Sequence, residues 1–356
     1  MKFRTFLMTL LLPAMIVEPV FGTDNDATTK LSLAGSRFAI NGVPTFLVGI
    51  SYYGGLGASE QQIVRDLDDI QRAGFNWVRV WATWDSFGEN VSAVDEAGSG
   101  REPFLQRLQH LVAECDRRQM VADVTLARDT RDHTTTDGVH LPHAAAHRTA
   151  VRTIIDTLRN HRNWYLDLAN ERDVRDRRFV SVDELKTLCR LAHECDPQLL
   201  VTASFGGHDL TNSDVRDLLQ SVRADFLAVH RPRHADSPQQ TEQRTQDVLR
   251  IITDLRLTAP VHHQEPFRRG YAKWEPTATD FLTDLRGAVR GGAAGWGFHN
   301  GATRSSLDGH PRRSFDLRER GLVEQLDSEE RQVISEIRSV LRELQVDQPP
   351  RATETE

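Results

Sequence analysis

Two glutamates carry the most chemistry in this sequence. Glu171 follows Ala169-Asn170 at the end of the apolar run 164–169, and Glu265 follows the run 260–264. Hydrolysis of a glycosidic bond needs two carboxyl groups, one on either side of it. At a separation of about 5–5.5 Å one attacks while the other serves as acid and then base, and a wider gap gives inversion. A single glutamate in such a place reads as an ordinary solvated loop residue. The pair says more, because both lie at strand ends and both have polar or aromatic company. Arg79 sits inside the apolar run 77–81, where a cation facing packed helices would be costly, so it is expected to face the site and hold one carboxylate ionised. Asn170 is placed to hydrogen-bond a sugar hydroxyl, and serves equally well as a turn residue. His230 is placed to bind sugar or orient a carboxylate, and reads equally as a core-edge histidine. Trp296, Tyr52 and Trp81 offer flat faces for a sugar ring, with Tyr53 and Trp84 extending the rim, although Trp and Tyr also fill cores.

Elements must bring these residues together, and the hydrophobic pattern supplies them. Runs at 45–50, 77–81, 120–126, 164–169, 199–204, 226–230, 260–264 and 294–299 alternate with amphipathic stretches at 59–73, 103–118, 143–160, 181–194, 212–222, 238–256, 276–290 and 322–345. The first kind reads as short strands and the second as helices. Ser59 and Gly74 supply start and stop signals for the first helix. Strict alternation implies a parallel sheet with right-handed crossovers. The fold class expected is α/β, a (β/α)8 TIM barrel with a short N-terminal β-hairpin at 31–33 and 37–40. Such barrels place their active site at the C-terminal ends of the strands, where all the residues above fall. The open doubly wound sheet is the competing topology, but no Gly-rich phosphate loop follows the first strand.

Composition sets the outer limits. The chain has 356 residues, 39% hydrophobic and 27% charged, which excludes a disordered chain, a collagen and a polytopic membrane protein. A net charge of −7 argues against a general nucleic-acid binder. Three cysteines are too few for a disulfide scaffold, and Cys115, Cys189 and Cys195 are expected as buried free thiols. Lys2 and Arg4 precede an apolar run that Pro13 and Glu18 cut short, with Val20-Phe21-Gly22 as a cleavage signal. Residues 1–22 therefore read as a signal peptide, 23–346 as one domain and 347–356 as a disordered tail, and the location expected is secreted or periplasmic.

The ordered set of motifs resembles clan A glycoside hydrolases, in particular glycoside hydrolase family 5, the cellulase and mannanase-like barrels. The resemblance runs over about residues 36–300. Its carriers are Asn41-Gly42-Val43-Pro44 leading to Gly49-Ile50-Ser51-Tyr52, then Ala73-Gly74-Phe75-Asn76-Trp77-Val78-Arg79-Val80-Trp81, Ala169-Asn170-Glu171, Gln264-Glu265 and Trp296. It implies that Glu171 is the acid/base and Glu265 the nucleophile of a retaining enzyme acting on β-linked glycans. Arg79, Asn170, His230 and Trp296 would then line the subsite of the cleaved sugar. It also implies a poly- or oligosaccharide as the partner, with no metal and no organic cofactor. No nucleic-acid partner and no membrane association after signal cleavage are expected, and the chain reads as a monomer. Three positions depart from the family. Asp-x-His at the third strand is Asp123-Val124-Thr125 here, His-x-Tyr at the sixth is His230-Arg231-Pro232, and the Pro after the acid/base is Arg172. A barrel that binds carbohydrate without cleaving it is the alternative these departures favour.

Other signals weigh less. His262 and His263 are strand neighbours on opposite faces and chelate together poorly. His143 and His147 have zinc-binding spacing on a helix, but no HExxH pattern accompanies them. Arg128, Arg131, Arg231, Arg233, Arg268, Arg269, Arg304, Arg312 and Arg313 fall in loops of the active face and suggest an acidic glycan. Compositional bias accounts for them better: Lys2, Lys30, Lys186 and Lys273 are the chain's lysines among 44 basic residues, and Asp129, Asp132 and Asp308 are interleaved. Asn90-Val91-Ser92 fits a glycosylation sequon.

Overall fold

The alternating apolar runs close into a parallel barrel in the computed structural model, which describes residues 29–86, 89–126, 140–174, 178–270, 273–300 and 315–346. An antiparallel sheet comes first: β1 (Leu31–Ala34), β2 (Arg37–Ile40) and β3 (Val43–Thr45). The barrel units follow. β4 (Leu47–Ser51) leads to α1 (Glu60–Ala73). β5 (Trp77–Trp81) leads, by way of the short hairpin β6 (Asp85–Ser86) and β7 (Glu89–Asn90), to α2 (Phe104–Arg117). β8 (Val121–Thr125) leads to α3 (Ala144–Leu158), and β9 (Trp164–Asp167) to α4 (Val182–Cys195). β10 (Leu200–Thr202) leads to α5 (Asn212–Val215), which runs on as a π-helical stretch to Val222. β11 (Leu227–His230) leads to α6 (Ser237–Asp254), and β12 (Val261–Glu265) to α7 (Ala278–Gly291). β13 (Gly295–Phe298) leads to α8 (Leu322–Gln325) and α9 (Ser328–Glu343). Around the barrel the order is β10-β9-β8-β5-β4-β13-β12-β11, every pairing parallel, and a bridge between Ser204 and Ala228 closes the ring.

Local chemistry fixes the helix ends. The Ser59 hydroxyl accepts from the Gln62 N–H, and Gly74 at φ 104° ends α1 in the left-handed region that glycine tolerates. Between them Ile63, Leu67 and Ile70 form the buried stripe, each contributing roughly 1.5–3 kcal/mol by leaving water. The sequence pattern 322–345 reads as one helix, but the chain breaks at Leu326, and Asp327 begins α9 as a reciprocal capping box with Glu330. β3 and the β6–β7 hairpin are additions to the expected elements. Cys115 and Cys189 are buried free thiols as expected, whereas Cys195 is exposed because it ends α4.

Strand alternation divides two cores. Val78 and Val80 of β5 pack outward into the core shared with the helices, while Trp77 joins a separate inner cluster with Phe38, Tyr165 and Phe226. Phe38 of β2 forms the floor: its ring stands edge-on to Phe226 at 5.0 Å and to His262 at 5.5 Å. Trp77 needs the space that glycines leave. A Cβ at Gly49 would lie 1.5 Å from the Trp77 ring, and one at Gly297 would lie 2.7 Å from it. Above this apolar floor the lumen turns polar, with Arg79, Asp123, Thr125, Asp167, Gln264 and Glu265 all buried.

Candidate active site

Arg79 is the hub. Alternation on β5 turns it into the lumen, where its guanidinium is fully buried and must be neutralised. Its Nη1 donates to Glu265 Oε2 at 2.6 Å, its Nη2 to Asn170 Oδ1 at 2.8 Å and Asp167 Oδ2 at 3.3 Å, and its Nε to Thr125 Oγ1 at 3.1 Å. Asp123 Oδ2 lies 3.3 Å from the same Nε. The Asp123 carboxyl is pushed up to about 7, first by burial and then by Asp167, against the pull of Arg79.

Glu265 ends β12, where a register shift between β11 and β12 pairs it with His230. Both of its oxygens accept hydrogen bonds. Oε2 takes Arg79 and the Tyr53 hydroxyl at 3.3 Å, and Oε1 takes Arg233 Nη2 at 2.5 Å. His299 Nε2 lies 3.0 Å from Oε1. Burial, the largest influence, pushes the Glu265 carboxyl up, but His230, Arg233 and Arg79 together hold it below the usual carboxylate range. Burial also keeps His299 neutral. Its Nδ1 lies 2.9 Å from Ser51 Oγ and against the Tyr53 hydroxyl, both able to donate, so the tautomer that also serves the Glu265 carboxylate carries its proton on Nε2.

Glu171 stands across the lumen, just beyond β9. Its backbone takes φ 47°, in the left-handed region, and its N–H donates to Ser204 Oγ at 3.0 Å. Oε1 lies 3.3 Å from His230 Nδ1 and accepts from Arg233 Nη2 at 3.0 Å. One ligand-type atom from each of Glu171, His230 and Glu265 falls within 4.8 Å of the other two. The two carboxyl groups therefore approach each other closely in the lumen. Those three groups also have the spacing of a metal site. However, Arg233 bridges both carboxylates and the buried Arg79 holds Glu265, and these guanidiniums oppose a divalent cation at those oxygens.

The structure gathers Glu171, Glu265, Arg79, Asn170 and His230 into one cluster, with Trp81 at its edge, 5.5 Å from the Arg79 guanidinium. Two expectations are corrected. Trp296 faces outward from β13, fully buried, and its Nε1 donates to Asp284 Oδ2 of α7 at 2.7 Å. Tyr52 turns toward α1, where its hydroxyl donates to Asp66 Oδ2 at 2.7 Å. Tyr53 comes to the site in its place, and its hydroxyl donates to Glu265 Oε2 at 3.3 Å. His143 caps α3, and His147 is buried against the Leu168 carbonyl at 2.7 Å, so neither forms a zinc pair. In the sequon the Asn90 side chain accepts from the Ser92 N–H at 2.9 Å.

Several site residues were not assigned to the site from sequence. Arg233 was named among the active-face arginines but attributed to compositional bias. His299 ends the eighth run as His230 ends the sixth, and that position was a usable signal. Asn300 beside it is buried, yet neither atom of its amide has a hydrogen-bond partner among the described residues. The same holds for the indole N–H groups of Trp81 and Trp84. Buried polar groups left open are costly. Arg128, Arg131, Arg304, Arg312, Arg313 and His133, the signal segment 1–22 and the tail 347–356 lie outside the described residues.

The fold matches solved glycoside hydrolase barrels. A Bacteroides vulgatus protein provisionally described as a glycoside hydrolase superimposes with TM-score 0.64 at 15% identity over 90% of this chain. The chain spans 62% of that protein's length. A glycoside hydrolase family 5 protein from the same organism gives TM-score 0.62 at 13% identity, covering 83% of this chain and 68% of that one. The family 5 mannosidase of Rhizomucor miehei gives TM-score 0.60 at 15% identity, covering 90% and 99%. No protein-family model and no curated protein matches the sequence. At these identities the likeness is one of fold, and function has to be argued from the site.

Proposed function

We propose that the protein is a secreted retaining glycoside hydrolase acting on β-linked glycans. The observation that carries the reading is the carboxyl pair at the mouth of the barrel: Glu265 held ionised by Arg79 and its neighbours, with Glu171 facing it at close range. Glu265 attacks the anomeric carbon while Glu171 protonates the leaving oxygen. A glycosyl ester forms on Glu265, and Glu171 then takes a proton from the water that cleaves it. Asn170, its oxygen committed to Arg79, offers its NH2 to a sugar hydroxyl. Arg233 spans the gap that the sugar ring must enter, so substrate binding has to displace it.

That bridge also favours a second reading, a barrel that binds carbohydrate without cleaving it. One experiment separates the two. Reducing-sugar release is measured on a panel of neutral and acidic glycans with wild type, Glu171→Gln and Glu265→Gln. β-Mannan comes first, because one fold neighbour is a mannosidase. Release by wild type that falls by several orders of magnitude in both variants supports the enzyme. Release that persists in either variant overturns the assignment of the carboxylates. Glycan binding without release in wild type selects the binding barrel.

A further inference from the structure

Beneath the carboxyl pair runs a chain of hydrogen bonds whose polarity is fixed at its lower end. The hydroxyls of Thr125 and Tyr165 donate to Asp123 at 2.8 and 3.0 Å, and Arg79 Nε lies 3.3 Å away. Above about pH 7, where Asp123 is ionised, it is surrounded by donors and acts as an acceptor. Gln264 must present its NH2 to it, and Nε2 does so at 2.6 Å. The amide therefore turns its oxygen to His230, and Oε1 lies 3.0 Å from His230 Nε2. An amide oxygen only accepts, so Nε2 carries a hydrogen. His230 Nδ1 is left facing Glu171 Oε1 at 3.3 Å.

We propose that Gln264, anchored by Asp123, is a positioning residue that keeps the catalytic proton on the Glu171–His230 pair. This rests on Glu171 being the acid/base. With Nε2–H committed to Gln264, neutral His230 has only a lone pair at Nδ1. A hydrogen bond to Glu171 then requires one more proton, either on the carboxyl or on the imidazole. Glu171 passes that proton to the leaving oxygen when substrate displaces Arg233. Without Gln264, neutral His230 can shift its hydrogen to Nδ1 and donate to ionised Glu171. The contact then survives without the extra proton, and the acid is lost at lower pH.

The charged and titratable groups around the pair come from every neighbouring strand end. They are Tyr53 beyond β4, Arg79 on β5, Asp123 on β8, Tyr165 and Asp167 on β9, Arg233 beyond β11, Glu265 on β12 and His299 beyond β13. Asp173 and His208, next along the chain wall, pair with each other at 3.4 Å. Only Gln264 hydrogen-bonds His230 Nε2 among the described residues and is itself without charge, so its replacement by Met alters hydrogen-bond polarity and leaves the local charge as it was.

The test uses two readouts on the intact protein. In histidine labelled with 15N, assigned by a His230→Gln control, Nε2 should stay protonated in wild type, and the Nδ1–H form should appear in Gln264→Met. In kinetics on whichever panel glycan is cleaved, the basic limb of kcat/KM should fall by about one pH unit in Gln264→Met while the acidic limb stays. Gln264→Glu keeps an acceptor toward Nε2 and should return the limb to the wild-type position or above it. A purely structural role lowers kcat without moving the limb. Nδ1–H in wild type, or a Gln264→Met protein with unchanged tautomer and limb, overturns the proposal. If Gln264→Met does not fold, the wild-type spectrum and Gln264→Glu still decide. Expected tautomers without hydrolysis of any glycan reject the enzyme reading and leave the hydrogen-bond chain standing.

Discussion

Replacing Arg79 with Met would leave Asp123, Asp167 and Glu265 facing one another without their shared cation. Breaking a buried ion pair from one side costs about 3–5 kcal/mol. The urea midpoint of Arg79→Met should fall accordingly, and an unchanged midpoint would show the carboxyls are neutral. A second prediction concerns Arg233, whose positive charge favours the ionised form of both glutamates. In Arg233→Gln both limbs of the kcat/KM profile should move to higher pH. The acidic limb moves because Glu265 loses one of the cations holding it low. The basic limb moves because Glu171 keeps its proton longer. Limbs that stay in place would mean Arg233 is already gone from the working site. At this scale the sequence pointed to Glu171, Glu265, Asn170 and His230 because each stands at or next to a strand end with chemistry to offer, and to Arg79 because a cation inside an apolar run needs a polar partner. It misled at Tyr52 and Trp296, since a one-residue change of register or turn sends a side chain to the opposite face. A period of two cannot say which face of an all-buried strand is the lumen.

The elements were readable from their periods, as the match of the 77–81 run to β5 and of 59–73 to α1 shows. What was not readable was what seals the floor. Phe38 comes from a hairpin far from β9 and β11 in sequence, and meets Tyr165 and Phe226 only when the barrel closes. Phe38→Ala should cost about 3–5 kcal/mol in denaturant unfolding. Two buried histidines, His262 in this floor and His147 on α3, give the fold an acid sensitivity. Burial pulls His262 down to about 3 and His147 down to about 4. Below the ordinary histidine value of about 6.5 the unfolded chain binds protons that the folded one refuses. These groups therefore contribute stability above about pH 6.5, and it is lost as the pH falls toward their folded values. Asp123, pushed up to about 7, has the opposite sign, because the folded state takes its proton first. Comparison at constant Asp123 isolates the histidine effect: between pH 7 and 4 the urea midpoint of His262→Phe should fall less steeply than that of wild type. Parallel slopes would mean that His262 is charged in the folded protein or that its burial is already relaxed.

For the whole molecule, alternation along the chain was enough to read a barrel, but closure is a long-range event and leaves no local mark. Here closure has a weak point. β10 is three residues long and meets β11 through the Ser204–Ala228 bridge. Side chains supplement the ladder: Thr202 Oγ1 donates to the Phe226 carbonyl at 2.8 Å, and the Asp225 carboxylate accepts from the Val201 N–H at 2.7 Å. The seam is also tied to the chemistry. Ser204 takes the N–H of Glu171, whose left-handed backbone costs of order 1 kcal/mol and relaxes if that tie is released. Segments closed by few ladder hydrogen bonds open at lower free energy than the rest of a fold. Amide exchange should therefore be faster in residues 199–205 and 226–230 than in β4 and β5. Ser204→Ala should speed it further there and, by loosening Glu171, the proposed acid/base, lower kcat about tenfold on a cleaved glycan. Uniform protection around the ring would show that the side-chain ties make the seam as strong as the ladders. In that case Ser204→Ala should lower kcat without touching exchange, which would place the cost in the local backbone of Glu171 and not in the closure of the barrel.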